Sequence, residues 1–152
     1  MRSIGKLAQA IRERPAAMAK TRRVWMRVRH LSGEEKDDIA AACRRFIDER
    51  LRPRFLPEIR PTEFNYPVDL HGRWRGRSFS FLTRYRSGFA ENLGEEFDAP
   101  FARLDHDEER LDRIVFDVMW PRHTGRFWPL RSDVTLEEAF AIIAEEGLLW
   151  PI

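Results

Sequence analysis

The sequence predicts a single α+β domain: a four- or five-stranded antiparallel sheet with two flanking helices and a basic N-terminal arm. Two helix-start signatures, at Ser32 and Thr135, lie on either side of a region whose side chains alternate and turn as strands do. The length of 152 residues fits one domain, and a hydrophobic share of 43% supplies a core for it.

The first helix is predicted by a capping box, because Glu35 follows Ser32 by three residues. Apolar residues then recur at helical spacing from Ile39 to Leu51. Proline disfavours helical backbone at the residue before it, so Pro53 is expected to end a helix that spans 33–51. The prolines that follow predict an extended connector to the sheet.

The sheet is predicted to begin with a strand at 64–70 and to continue with the alternating residues 77–85. Because "HGRWRGR" (71–77) contains two glycines, we expect it to be a long hairpin loop between these strands. Residues 87–100 are predicted to be a second loop. A short strand at 101–105 and an acidic turn are expected after it.

The segment "WPRHTGRFWPL" (120–130) predicts the last hairpin of the sheet. A three-residue turn with Gly125 in the left-handed conformation pairs Trp120 with Trp128 and Val118 with Leu130. All four side chains then share one face. Prolines next to both tryptophans remove ladder donors, which predicts that at least one of these strands lies at the sheet edge.

The last helix is predicted over 135–146, because Thr135 and Glu138 form a second capping box. Gly147 is expected to end it in the left-handed conformation, with Leu148 packed against Ile143.

Charge is distributed unevenly along the chain. Residues 1–30 carry nine Lys or Arg residues and one acid, Glu13, whereas the remainder is net acidic. We therefore divide the chain into a basic arm (1–30) and a globular domain (31–152). The arm is expected either to contact nucleic acid, anionic lipid or an acidic partner, or to fold back on the acidic body. An Arg-rich, acid-poor start also resembles an organellar transit peptide, so the place of residues 1–25 in the fold stays open.

The single cysteine, Cys43, excludes an internal disulfide and lies on the apolar face of the first helix. This pattern predicts a buried small hydrophobe in a reducing, cytoplasmic compartment.

The sequence contains no run of about 20 apolar residues, so no membrane span is predicted. No cofactor is predicted, since the chain has no Gly-rich phosphate loop and no nucleophile elbow. The acidic turn at 105–109 lacks the spacing of a calcium or zinc site, so no metal is predicted.

One group of residues suggests a binding surface, because arginines interleave with aromatic side chains at predicted turns. Its members are Arg73, Trp74, Arg75, Arg77, Arg84, Arg86, Arg122, His123 and Arg126. Arginines beside exposed aromatics can hold phosphates and stack on bases. The competing interpretation is that these arginines pair with the acids of the body. Arginine makes up 24 of the 27 basic residues, so its abundance alone does not decide between the two.

The sequence thus favours a non-enzymatic binding module for an anionic partner, either a nucleic acid or an acidic protein. One alternative is a small hydrolase-like enzyme that uses His71 or His123 with a carboxylate, although we assign no catalytic residue. That alternative needs a pocket with a histidine within about 3 Å of an Asp or Glu. Another alternative is a protein-interaction subunit that uses exposed aromatics.

Four segments in this order resemble a small uncharacterised bacterial family, a domain of unknown function. They are "EIRP" (58–61), "PFARLD" (100–105), "VMWPRHTGRFWPL" (118–130) and "TLEEAFAIIAEEGLLWPI" (135–152). The resemblance covers roughly residues 33–152. It implies a bacterial cytosolic α+β domain in which a helix, a small antiparallel sheet, an aromatic hairpin and a C-terminal helix follow one another. It implies no activity and no site residues.

Overall fold

In the computed structural model, which describes residues 27–151, the first helix begins after Ser32 as predicted. Helix α1 spans Gly33–Phe46. The Ser32 hydroxyl accepts the Glu35 N–H at 3.0 Å, and the Glu35 carboxylate accepts the Ser32 N–H at 2.9 Å. This capping box satisfies two backbone donors that a helix start otherwise leaves without partners.

The predicted end of this helix at Pro53 is wrong. A π-helical segment, Ile47–Leu51, continues α1, and a further turn, α2 (Arg52–Phe55), follows it. Pro53 lies in the first turn of α2, where the N–H that proline lacks has no required partner. The wider π turn before it therefore lets the chain pass the proline and remain helical.

Five antiparallel strands form one sheet in which every neighbour in sequence is also a neighbour in space, in the order β1-β2-β3-β4-β5. This confirms the α+β class and the predicted strand number. The strands are β1 (Asn65–Arg75), β2 (Ser78–Ser87), β3 (Glu96–His106), β4 (Phe116–Pro121) and β5 (Phe127–Val134).

The predicted loop at 71–77 is instead the end of β1 and a two-residue turn. Gly72 pairs with Phe81 within the ladder, and only Gly76 and Arg77 separate the strands. Gly72 has a packing role, since a Cβ there would lie 2.5 Å from the Phe79 ring. Gly76 has the turn role, with φ of 61°. Two glycines that look alike in the sequence therefore serve different purposes.

The predicted loop at 87–100 is also shorter than expected, because β3 already begins at Glu96. The early part of β3 pairs with the end of β2, and charged partners face each other there, as in Arg86 with Glu96 and Arg84 with Asp98. The expected short strand at 101–105 is thus the second half of an eleven-residue strand.

The last hairpin has the predicted turn. The Arg122 N–H donates to the Arg126 carbonyl at 2.9 Å, and Gly125 has φ of 85°. Trp120 pairs with Trp128, which confirms that the tryptophans share a face. Val118, however, pairs with Arg131 rather than with Leu130, because the register shifts between Val118 and Met119.

Helix α3 spans Leu136–Glu145 after the predicted Thr135 capping box. The expected left-handed end at Gly147 is wrong: Gly147 opens a 3₁₀ turn, Gly147–Leu149. This turn buries Leu149 completely and leaves Leu148 half exposed, so the second leucine rather than the first closes the core.

The helices lie on one face of the sheet and enclose the core. Phe46 of α1 stacks on Phe140 of α3 with ring centroids 4.4 Å apart, and Phe81 of β2 meets Phe46 edge-on. Cys43 is fully buried in this core as predicted, and burial raises the pKa of its thiol to about 12. Most of the predicted basic arm, residues 1–26, lies outside the described residues.

Candidate anion-binding site

The sheet face opposite the core carries charged side chains from three adjacent strands. We call it the polar face. It consists of His71, Arg73 and Arg75 of β1; Ser78, Ser80, Arg84 and Arg86 of β2; and Glu96, Asp98, Arg103 and Asp105 of β3. Strand alternation and the cross-strand register place these residues together, since Ser80 pairs with both Arg73 and Arg103, and Arg84 pairs with Asp98.

Asp98 is the centre of the polar face. His71 Nε2 lies 3.0 Å from its carboxylate, Arg84 Nε 3.1 Å and Arg73 Nη1 3.3 Å. Partial burial acts to raise the pKa of Asp98, but the hydrogen bonds from His71 and Arg84 outweigh it and lower that pKa to about 2. Asp98 therefore stays ionised and binds three basic side chains.

Two further carboxylates bind arginines of the same face. Arg86 contacts Glu96 at 2.8 Å, and Arg103 contacts Asp105 at 2.8 Å. Ser78 also donates to Asp105, at 2.7 Å. The polar face is consequently a mosaic of local ion pairs, which is the arrangement that the competing interpretation of these arginines expects.

The segment 71–77 does not present its arginines and tryptophan as one exposed group. Trp74 points to the helix side, where its indole N–H donates to the Lys36 carbonyl at 2.9 Å and its ring meets Phe79 edge-on. Arg75 is exposed on the polar face and forms no ion pair with the described residues. Arg77 follows in the turn, and its guanidinium donates to the His106 carbonyl at 2.8 Å.

The hairpin tip combines arginines with exposed aromatic surface, and we define it as Trp120, Arg122, His123, Arg126 and Trp128. The Arg122 guanidinium lies 4.9 Å from the ring centroid of Trp128 and 5.7 Å from that of Trp120. Trp128 is 47% exposed, and His123 and Arg126 are exposed beside it. The tip is thus a place where cationic and aromatic surface reach solvent together.

Sequence reasoning missed two residues that the structure makes prominent, Asp98 and His106. The sequence predicts a loop at 87–100, and a loop does not predict that Asp98 lies opposite Arg84. The sequence places His106 in an exposed acidic turn, whereas the structure buries it fully at the end of β3. The alternation of Ala102, Leu104 and His106 was the available signal, since it places the histidine on the core side.

Comparison with known proteins gives one match. A family model described as a domain of unknown function, DUF3024, covers residues 31–151. No curated protein and no solved structure matches the chain. Within residues 27–151, no helix has the length and apolar character needed to cross a membrane, and no cluster of three His, Cys, Asp or Glu side chains is arranged to hold a metal. Because the family model covers most of the chain, the chain belongs to the DUF3024 family.

Proposed function

We propose that the protein is a non-enzymatic binding module for an anionic partner, and that single-stranded nucleic acid is bound at the hairpin tip. The observation that carries the proposal is the exposed Trp128 ring under the Arg122 guanidinium, with Arg126 exposed beside it. Bases stack on such rings regardless of their sequence, while arginines hold the phosphates.

The polar face supports this proposal less than the hairpin tip does. Arg73, Arg84 and Arg86 are already bound to carboxylates, so a phosphate would have to displace Asp98 or Glu96 to reach them. Arg75 and Arg77 are exposed, and we retain them as secondary contacts. An acidic protein is the alternative partner. Its carboxylates would bind the arginines of the hairpin tip and would need no stacking on the Trp128 ring.

Binding of a fluorescent single-stranded oligonucleotide, followed by anisotropy over a series of salt concentrations, tests the proposal. Trp128→Ala is expected to weaken binding by about 1–3 kcal/mol, the usual contribution of a stacked base. Arg126→Ala is expected to weaken binding. It should also make the slope of log K against log salt shallower by about one unit, because one phosphate contact is lost.

Arg45→Ala is the matched control, because it removes one exposed arginine from α1, away from the hairpin. It should leave the affinity within about twofold of wild type. Absence of binding at low ionic strength, or equal weakening by Arg45→Ala and Arg126→Ala, would overturn the nucleic-acid proposal. Weakening by Arg126→Ala but not by Trp128→Ala would favour the acidic protein instead.

A hydrolase-like activity is the second candidate, because His71 lies 3.0 Å from Asp98. Arg84 Nη2 lies 3.5 Å from the same His71 nitrogen, and Asp98 also binds Arg73, so the carboxylate is shared among three cations. His123, in contrast, is exposed at the turn and makes no ion pair with a described carboxylate. Hydrolysis of a generic activated ester that is lost in His71→Ala and kept in His123→Ala would favour the enzyme.

A third candidate is a protein-interaction subunit, favoured by apolar side chains at the start of β3 and the loop before it. Phe89, Leu93 and Phe97 are exposed there, and Phe64, the residue before β1, is exposed beside Phe89 with ring centroids 5.8 Å apart. Light scattering that gives a mass above 18.1 kDa, reduced by Leu93→Ser, would support it. We further propose a bacterial cytosolic setting: the bacterial source rests on the family resemblance, and the cytosol on the free, buried thiol of the sole cysteine, which suits a reducing compartment.

A further inference from the structure

A cavity of about 310 Å³ lies on the helix side of the sheet, at the end where α1 begins. Its walls come from three parts of the fold: α1 and the residues before it, the β1–β2 turn, and the end of β3. The lining residues are His30, Leu31, Lys36, Gly76, Arg77, His106 and Glu108. The volume is at the lower end of the range for small-molecule sites, roughly 300–1,000 Å³.

His106 is the unusual member of this lining. Its side chain is fully buried, yet neither ring nitrogen has a hydrogen-bond partner among the described residues. Its ring instead packs edge-on to Phe116, with centroids 6.0 Å apart. Buried polar groups are nearly always hydrogen-bonded, so an imidazole without partners at a cavity wall indicates that a ligand supplies them.

Burial lowers the pKa of His106, and the nearby Glu108 only partly opposes this effect. Arg29 and Arg77 lower the pKa further, while Asp107 raises it. The ring is therefore neutral at pH 7 and carries one N–H donor and one acceptor nitrogen, neither of which has a partner among the described residues.

Two permanent cations line the same cavity. The Lys36 ammonium donates one hydrogen bond to the Gly76 carbonyl at 2.8 Å, which leaves two N–H groups for a ligand. The Arg77 guanidinium donates to the His106 carbonyl at 2.8 Å and keeps further donors. The opposing charge is Glu108, whose carboxylate is bound by His30 at 2.9 Å. The cavity thus has a positive balance and an excess of donors.

We propose that this cavity binds a phosphoryl group, held by Lys36, Arg77 and His106. Three donors of different kinds, from three elements, match a tetrahedral oxyanion with several acceptor oxygens better than they match a planar carboxylate. Lysine and arginine together disfavour a metal cation at the same position. The site shares no residue with the hairpin tip, and Arg77 is its one residue among the secondary contacts of the nucleic-acid proposal. Failure of oligonucleotide binding at the tip therefore leaves the phosphoryl site standing.

The probes are inorganic phosphate, a nucleoside monophosphate and the same nucleoside without phosphate, each added at constant ionic strength. The readout is the NMR signal of the His106 ring. Both phosphate probes are expected to shift it saturably and to raise its pKa, because the bound anion favours the imidazolium. Tighter binding of the monophosphate than of inorganic phosphate would identify a phosphomonoester as the ligand. The reverse order would identify the free ion.

Lys36→Met is the test variant, and Arg45→Met is its control on the same helix, because it removes one exposed charge outside the cavity. Circular dichroism first establishes that both variants fold. Lys36→Met should weaken phosphate binding at least tenfold, and Arg45→Met should change it less than twofold. Trp128→Ala should leave it unchanged.

Three results would overturn the proposal. The first is an unshifted His106 signal at tens of millimolar phosphate. The second is an equal shift from chloride or from the unphosphorylated nucleoside. The third is equal weakening of phosphate binding by Lys36→Met and Arg45→Met.

Discussion

Asp98 holds His71 and Arg84, from two neighbouring strands, within 3.1 Å of its carboxylate, and Arg73 approaches the same group. With a pKa of about 2 in the folded protein, it contributes stability that is fully present above its ordinary pKa of 3.8. That stability is lost as the pH falls through 3.8 toward about 2, because the unfolded chain takes up the proton first. Asp98 is therefore both the neutralising group of the polar face and a source of its acid sensitivity.

We expect Asp98→Asn to remove this pH dependence and to destabilise the protein by about 2 kcal/mol at pH 7, as a shift of this size implies. Urea denaturation at a series of pH values from 5 to 2 measures it. Asp38→Asn is the control, because Asp38 is exposed on α1 and makes no ion pair with the described residues. Parallel loss of stability in wild type and Asp98→Asn on acidification would contradict the assignment.

Strand β1 depends on a close approach between its backbone and an aromatic ring of β2. The Phe79 ring occupies the space where Gly72 has no side chain, and Trp74 packs edge-on to the same ring. This packing keeps 71–75 in the sheet and therefore puts Trp74 on the helix side, away from solvent.

Gly72→Ala should destabilise the protein by about 1–3 kcal/mol, because the new Cβ must displace a buried ring. Gly33→Ala is the matched control, since nothing lies within 4 Å of a Cβ built there. Thermal unfolding of the two variants compares them. A Gly72→Ala variant as stable as Gly33→Ala would show that the ring moves freely and that Gly72 is not required for the strand.

Local signals predicted helix starts and turns well, whereas the ends of strands depended on partners distant in sequence. Ser32, Thr135 and Gly125 each act within a few residues, and the structure bears out all three predictions. Gly72 and the residues of 96–100 read as loop because their roles come from Phe79 and from β2. The π-helical segment before Pro53 likewise ends at Leu51, which is buried in the core by residues distant in sequence.

At the scale of the whole molecule, most arginines of the predicted binding surface fall into two groups. Those of the polar face are largely neutralised by Asp98, Glu96 and Asp105, while those of the hairpin tip lie beside exposed aromatic surface. The sequence predicts both groups as one candidate surface, because it does not show which arginines face carboxylates across the strands. The hairpin tip is accordingly the part of the candidate site that we propose as the contact.

The most direct test of that claim is an NMR titration of the isotope-labelled protein with a short single-stranded oligonucleotide at low salt. We predict that the largest shifts occur at the Trp128 indole N–H and at the backbone amides of His123 and Arg126, and that salt reverses them. Amides of β1 and β2 next to Arg73 and Arg84 should shift little. Absence of shifts, or shifts concentrated on the polar face with the hairpin tip unchanged, would contradict the account.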